Sequence, residues 1–326
     1  MFLGTLMLAA APTYAQIGIA APLLLIAARL LQGFSAGGEF GASTAYLIEQ
    51  SPNKRAFYAS LQFTSQGIST VLATGMNLAL TQGLPEDQLL AWGWRLPFVF
   101  GLLIGPVAYV IRRHVDETPE FIAAQREAPS RPTRPRGAIG RVVIGTLLVF
   151  VATVTLYSQL YMPIFAASVL GIPGSTSVAA TLITGILLLV IPWLAGRAAD
   201  RWGLVKVAIP PLVGLVLLPL PLFVLMVSAR SPSSVIIAQV ALGATNAVYL
   251  GVLPALMAEL FPTEHRTAGL ALCYNIATVV IGGFAPVVFA LLVNVSGSPI
   301  APAAYIAANA VVSLGALLTA RRLGWA

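Results

Sequence analysis

Nine apolar stretches follow one another along the 326 residues, at 21–48, 58–80, 92–111, 142–161, 178–194, 207–227, 235–257, 268–293 and 303–320. Each is close to the roughly 20 residues that a helix needs to cross a bilayer. The connections between them sort their cations. Lys54, Arg55, Arg112, Arg113, Arg126, Arg131, Arg134, Arg136, Arg141, Arg197, Arg201, Lys206, Arg266, Arg321 and Arg322 fall on one side of the alternation; Arg95 and Arg230 fall on the other, beside Glu86 and Asp87. A soluble helical core has no reason to place its arginines at alternate turns, whereas topology imposes that on a membrane chain. The pattern predicts an all-α membrane protein of about nine full transmembrane helices in the inner (plasma) membrane, with the cation-rich turns and the carboxy-terminus in the cytoplasm.

Composition agrees and excludes several functions. The chain is 58% hydrophobic and 9% charged, where a soluble domain carries about a quarter of its residues charged. A net charge of +7 then reflects loop topology, and no nucleic-acid partner is expected. Cys273 stands alone in an apolar stretch, and His114 and His265 fall in polar connections. No zinc-spaced cluster, serine-histidine-aspartate set or phosphate loop appears, so no enzyme, metal or cofactor is expected.

One cation breaks the sorting. Arg29 lies inside the first full stretch, in RLLQGFSAGGEFG at 29–41, with Glu39 beyond it. Ionisable groups at membrane depth are expensive and mark function. Arg29, Gln32 and Gly33 share a helix face by their spacing, and Gly33, Gly37 and Gly41 repeat every four residues, which leaves a smooth groove for a neighbouring helix. The expectation is a polar face toward an aqueous cavity and a glycine face toward a partner. Snorkelling or structural pairing of Arg29 is the plainer alternative.

Other polar residues fall at helical spacing: Gln62, Gln66 and Thr70; Tyr157 and Tyr161; Asn246 and Tyr249. Amides and tyrosine hydroxyls offer hydrogen bonds without burying a charge. These are cavity candidates, and equally suited to bonds between helices. The short apolar run at 2–11 covers half a bilayer; it reads as a stub of a longer helix, with a signal peptide as the alternative. Pro119, Pro129, Pro132 and Pro135 mark a linker, which divides the chain into an incomplete bundle at 1–112, a cytoplasmic linker at 113–140 with a helical piece near 121–127, and a six-helix bundle at 141–326.

Several motifs carry a resemblance. Arg29-Leu30-Leu31-Gln32-Gly33 matches R-x-x-Q-G, and Gly196-Arg197-Ala198-Ala199-Asp200-Arg201-Trp202-Gly203 matches G-x-x-x-D-R-x-G. Ser35 to Glu39, Trp92 to Phe98, Glu117 to Phe121, Glu259 to Pro262 and Tyr274-Asn275 add to them in order. With these the chain resembles the metabolite:proton symporter branch of the major facilitator superfamily. The resemblance implies the major facilitator fold, two helix bundles of which the first is incomplete here, because the chain begins inside the family's third helix. It implies a gating loop at Gly196, Asp200, Arg201 and Gly203, where Asp200 pairs with a basic group or caps a nearby helix start. A short basic turn obeying topology is the alternative. Leu204 and Val205 depart from the family's basic residues after the loop glycine.

The function implied is proton-coupled symport of a small organic anion, a di- or tricarboxylate, with protons and the lipid bilayer as the other partners. Arg29 is the candidate to meet a carboxylate bidentately. Glu39, about 15 Å further along the helix, carries the coupling proton or pairs structurally; both readings stand. Symport of a zwitterionic osmolyte such as betaine or proline is the alternative substrate class, and a truncated, non-transporting membrane fragment the alternative of another kind.

Overall fold

The computed structural model describes residues 1–114 and 137–325. Most of the expected linker, and its helical piece near 121–127, lie outside the described residues. Helices dominate, and no strand occurs among the described residues. In chain order the principal ones are α1 (Phe2–Ala9), α2 (Ala20–Glu49), α3 (Arg55–Gly83), α4 (Ile104–His114), α5 (Ala138–Phe165), α6 (Gly174–Trp202), α7 (Leu204–Leu217), α8 (Pro219–Ala229), α9 (Pro232–Glu259), α10 (Thr263–Ala277), α11 (Ala285–Ser296) and α12 (Ala301–Arg322).

Eight segments among the described residues are long and apolar enough to cross a membrane: Ala20–Glu49, Gly93–Val110, Ala138–Leu170, Gly174–Trp202, Leu204–Ala229, Pro232–Glu259, Thr263–Ser296 and Ala301–Arg322. They cover eight of the nine expected stretches. The ninth is α3, whose 29 residues reach about 43 Å at the helical rise. Gln62, Thr64, Ser65, Gln66, Ser69 and Thr70 lower its apolarity, because α3 faces other helices and a cavity along part of its length.

Prolines divide three of the expected continuous spans. Pro106 follows the break before α4, Pro219 opens α8, and Pro286 stands second in α11. Each lacks the N–H that would bond four residues back. The turn Thr278–Gly282 ahead of α11 widens into a π-type turn. By contrast Pro163, Pro192 and Pro254 sit inside helices that continue, as packed membrane helices permit.

The core lies among α5 to α12, where Leu148, Phe165, Leu212, Phe223, Leu253 and Phe289 are almost wholly buried. Leu30, Phe34, Val99, Leu103 and Val107 face outward, the inverse of a soluble surface and the expectation for helices in lipid.

Helices before the linker meet those after it along two seams made by small residues. In the first, α3 lies along α6: a β-carbon on Gly67 would stand 2.5 Å from Leu189 N, and one on Gly196 2.7 Å from Ala56 O. In the second, α2 meets α10. Gly41 lies directly against the Thr267 carbonyl, Asn275 Nδ2 donates to Gly37 O at 2.5 Å, and the Phe40 and Tyr274 rings stack with centroids 3.7 Å apart. Of the three glycines spaced for close approach, Gly37 and Gly41 receive the neighbour. Gly33 has nothing within 4 Å, because at about 3.6 residues per turn a strict four-residue row drifts around the helix and away from one contact face.

Candidate transport site

Between α3, α5, α6 and α9 lies a cavity of about 160 Å³. Gln66 and Thr70 come from α3, Thr155 and Gln159 from α5, Thr181 and Thr184 from α6, and Asn246 from α9. Its lining is amide, hydroxyl and aliphatic; among the described residues no ionisable side chain contributes.

The polar groups of its floor are fixed by bonds between helices. Gln239 Nε2 donates to Gln159 Oε1 at 3.0 Å, and Gln159 Nε2 donates to the Gln239 carbonyl at 3.2 Å. About two turns nearer the start of α5, Asn246 Nδ2 of α9 donates to Ala152 O at 3.1 Å. In an apolar surround an unmet amide costs roughly 1–3 kcal/mol, so these contacts define how α5 and α9 cross. Two buried oxygens on the lining, Thr155 Oγ1 and Asn246 Oδ1, have no partner in the structure.

At the cation-rich end the two helix groups touch. Asp200, in the last turn of α6, accepts from Ala56 N at 2.9 Å and Phe57 N at 3.0 Å. Its carboxylate thereby caps the start of α3, where exposed amides and the helix dipole both favour an anion. Arg197 lies over the rings of Trp193 and Phe57, 4.8 and 5.1 Å from their centroids. Gly203, with φ at +94°, turns α6 into α7; at this angle a β-carbon would be strained. Arg201 is exposed. Across the second seam Arg266 and Glu49 form an ion pair at 3.4 Å, with side chains 9% and 6% exposed.

The expected site residues divide among several places. Gln66 and Asn246 line the central cavity together. Gln62 instead accepts from Ser43 Oγ at 3.0 Å, across α2 and α3. Glu39 and Ser43 line a wide separate groove with Ser35, Ile104 and Gly105. Arg29 is exposed and donates to Gln32 Oε1 at 3.2 Å, while Gln32 Nε2 donates to Thr5 Oγ1 at 3.1 Å. The Tyr157 ring lies against Gly282, Tyr161 packs among Phe165 and Phe289, and the Tyr249 hydroxyl donates to Leu148 O at 2.8 Å in full burial.

Sequence reasoning passed over Thr155 and Gln159, although they share the four-residue spacing that picked out Gln62 and Gln66. It also counted Arg266 as a loop cation, while the structure buries it beside Glu49.

The sequence pattern of the Major Facilitator Superfamily matches residues 1–218. The chain is 34% identical over 322 residues to the citrate-proton symporter of Klebsiella pneumoniae, covering 96% of this chain and 72% of that protein. It is 33% identical over 321 residues to a putative proline/betaine transporter of Staphylococcus haemolyticus (strain JCSC1435), covering 96% and 68%. Among solved structures, the proton:xylose symporter XylE bound to 6-bromo-6-deoxy-D-glucose superposes with a TM-score of 0.77 at 16% identity, over 98% of this chain and 78% of that one. With two helix groups meeting on glycine seams, and relatives above 30% identity along nearly its whole length, this multi-pass chain belongs to the Major Facilitator Superfamily.

Proposed function

We propose that the chain is a proton-coupled symporter of a small organic acid, of the di- or tricarboxylate type, in the inner membrane. The observation that carries this reading is 34% identity across 96% of the chain to a citrate-proton symporter. Alternating access requires a central site reachable from each side in turn. A cavity between the two helix groups, which are held together at the cation-rich end by Asp200 and by Arg266 with Glu49, suits one state of such a cycle. In this reading Gly196, Asp200, Arg201 and Gly203 form the gating loop, Glu39 carries the coupling proton, and Arg29 attracts the carboxylate.

The test is uptake into vesicles reconstituted with the chain and given an acid exterior. Labelled citrate, malate and succinate are offered in turn; accumulation that a protonophore abolishes is the expected result. Absence of accumulation for every carboxylate overturns the proposal and favours a non-transporting membrane protein. Arg29→Ala is expected to slow uptake about tenfold, the scale of one lost charged hydrogen bond; unchanged uptake removes Arg29 from the site.

A second reading has its own support. No ionisable group lines the cavity among the described residues, and relatives at 31–33% identity include putative proline/betaine transporters. A neutral lining suits a solute without net charge, so the same vesicles are offered proline and betaine.

A further inference from the structure

We infer that the cavity floor receives a hydrogen-bond donor of the solute through Thr155 Oγ1 and Asn246 Oδ1, and so selects solutes that carry an O–H or N–H beside their carboxylate. This inference rests on the transport reading above and narrows its substrate class. Thr155 is 0% exposed and Asn246 3%, both line the cavity, and both oxygens have no partner. Buried polar atoms in that condition are rare in a folded protein and call for a ligand, a water or an ion.

The polarity of this floor is fixed by its neighbours. Asn246 Nδ2 is committed to Ala152 O at 3.1 Å, and reversing the amide would set oxygen against oxygen. The amide oxygen is therefore the atom left without a partner, and an amide oxygen only accepts. Gln159, one turn along α5, spends its Nε2 on the Gln239 carbonyl and its Oε1 on Gln239 Nε2. Both polar atoms of Gln159 are thus already engaged by Gln239 within the protein.

A carboxylate also only accepts, so placing one against Asn246 Oδ1 opposes two lone pairs. An alcohol of a hydroxy acid, or the ammonium of an imino acid, offers the missing proton. Either supplies that donor, whereas a group lacking O–H or N–H leaves the amide oxygen unmet. The two sources share one chemistry and differ in the rest of the solute.

Two matched pairs test this, measured by isothermal titration on the detergent-solubilised full chain and by uptake into vesicles. Citrate and tricarballylate differ in a hydroxyl; proline and N,N-dimethylproline differ in their N–H donors. The donor-bearing member of the carried pair is expected to bind at least about tenfold more tightly. Thr155→Val, similar in shape, should reduce that preference below about threefold, and Thr155→Ser should keep it. Equal binding within both pairs, full preference in Thr155→Val, or no binding of either pair each overturns the inference. Proton-driven citrate uptake without preference defeats the subsite alone; no uptake of any acid defeats the transport reading as well.

Discussion

Arg266 and Asp200 bind the halves of the molecule at one end by different means, and their substitutions should read out differently. Arg266→Ala removes the cation 3.4 Å from a carboxylate only 6% exposed; loss of a buried partner costs roughly 3 kcal/mol. Thermal unfolding in detergent should therefore shift clearly downward, and an unchanged midpoint would mean that the pair contributes nothing net. Asp200→Ala instead strips two amides of α3 of their acceptor, worth about 1.5–3 kcal/mol for a charged bond. Its expected effect is on opening: a cysteine at Ser60, wholly buried beneath that contact, should react with maleimide about tenfold faster in the Asp200→Ala background, and an equal rate would sink the role. Asp200 was legible because a motif surrounds it. Glu49 was not, because its partner Arg266 lies 217 residues away and no local pattern reveals that distance. Thr155 and Gln159 were legible in principle, but the tyrosines at 157 and 161 share their helix and draw the eye first.

For the helices, apolar runs located the spans and could not locate their breaks or partners. Pro219 and Pro286 end helical stretches that a hydropathy reading runs straight through, because the loss of one N–H changes geometry without changing apolarity. The glycine row of α2 was readable as a groove, yet only the fold shows which of its members receive α10. A paired substitution tests this division. Gly41→Ala drives a methyl into the Thr267 carbonyl and the Ala271 side chain, and overpacking of that kind costs about 1–3 kcal/mol. Gly33→Ala meets open space and should leave the melting temperature unchanged or raise it slightly, since alanine favours helix over glycine. If both variants melt alike, the α2 and α10 seam is not a stabilising contact.

At the scale of the whole chain, the arrangement of charge predicts an orientation that the helix bundle by itself leaves open. Asn53 lies at the cation-rich end and Asp87 at the opposite one, and both are exposed. Cysteine at Asp87 should react with an impermeant maleimide added to intact cells, and cysteine at Asn53 only after the membrane is opened; the reverse result would invert the topology. Cys273 is buried and leaves a low background. One consequence follows from the way α6 holds α3. Asp200 grips peptide amides and no side chain of residues 56 or 57, so the fastening is indifferent to which amino acid supplies the amide at 57. A change of that letter can cost the ring beneath Arg197 and still keep the bond to Asp200; proline, the one residue with no hydrogen to lend, would undo it.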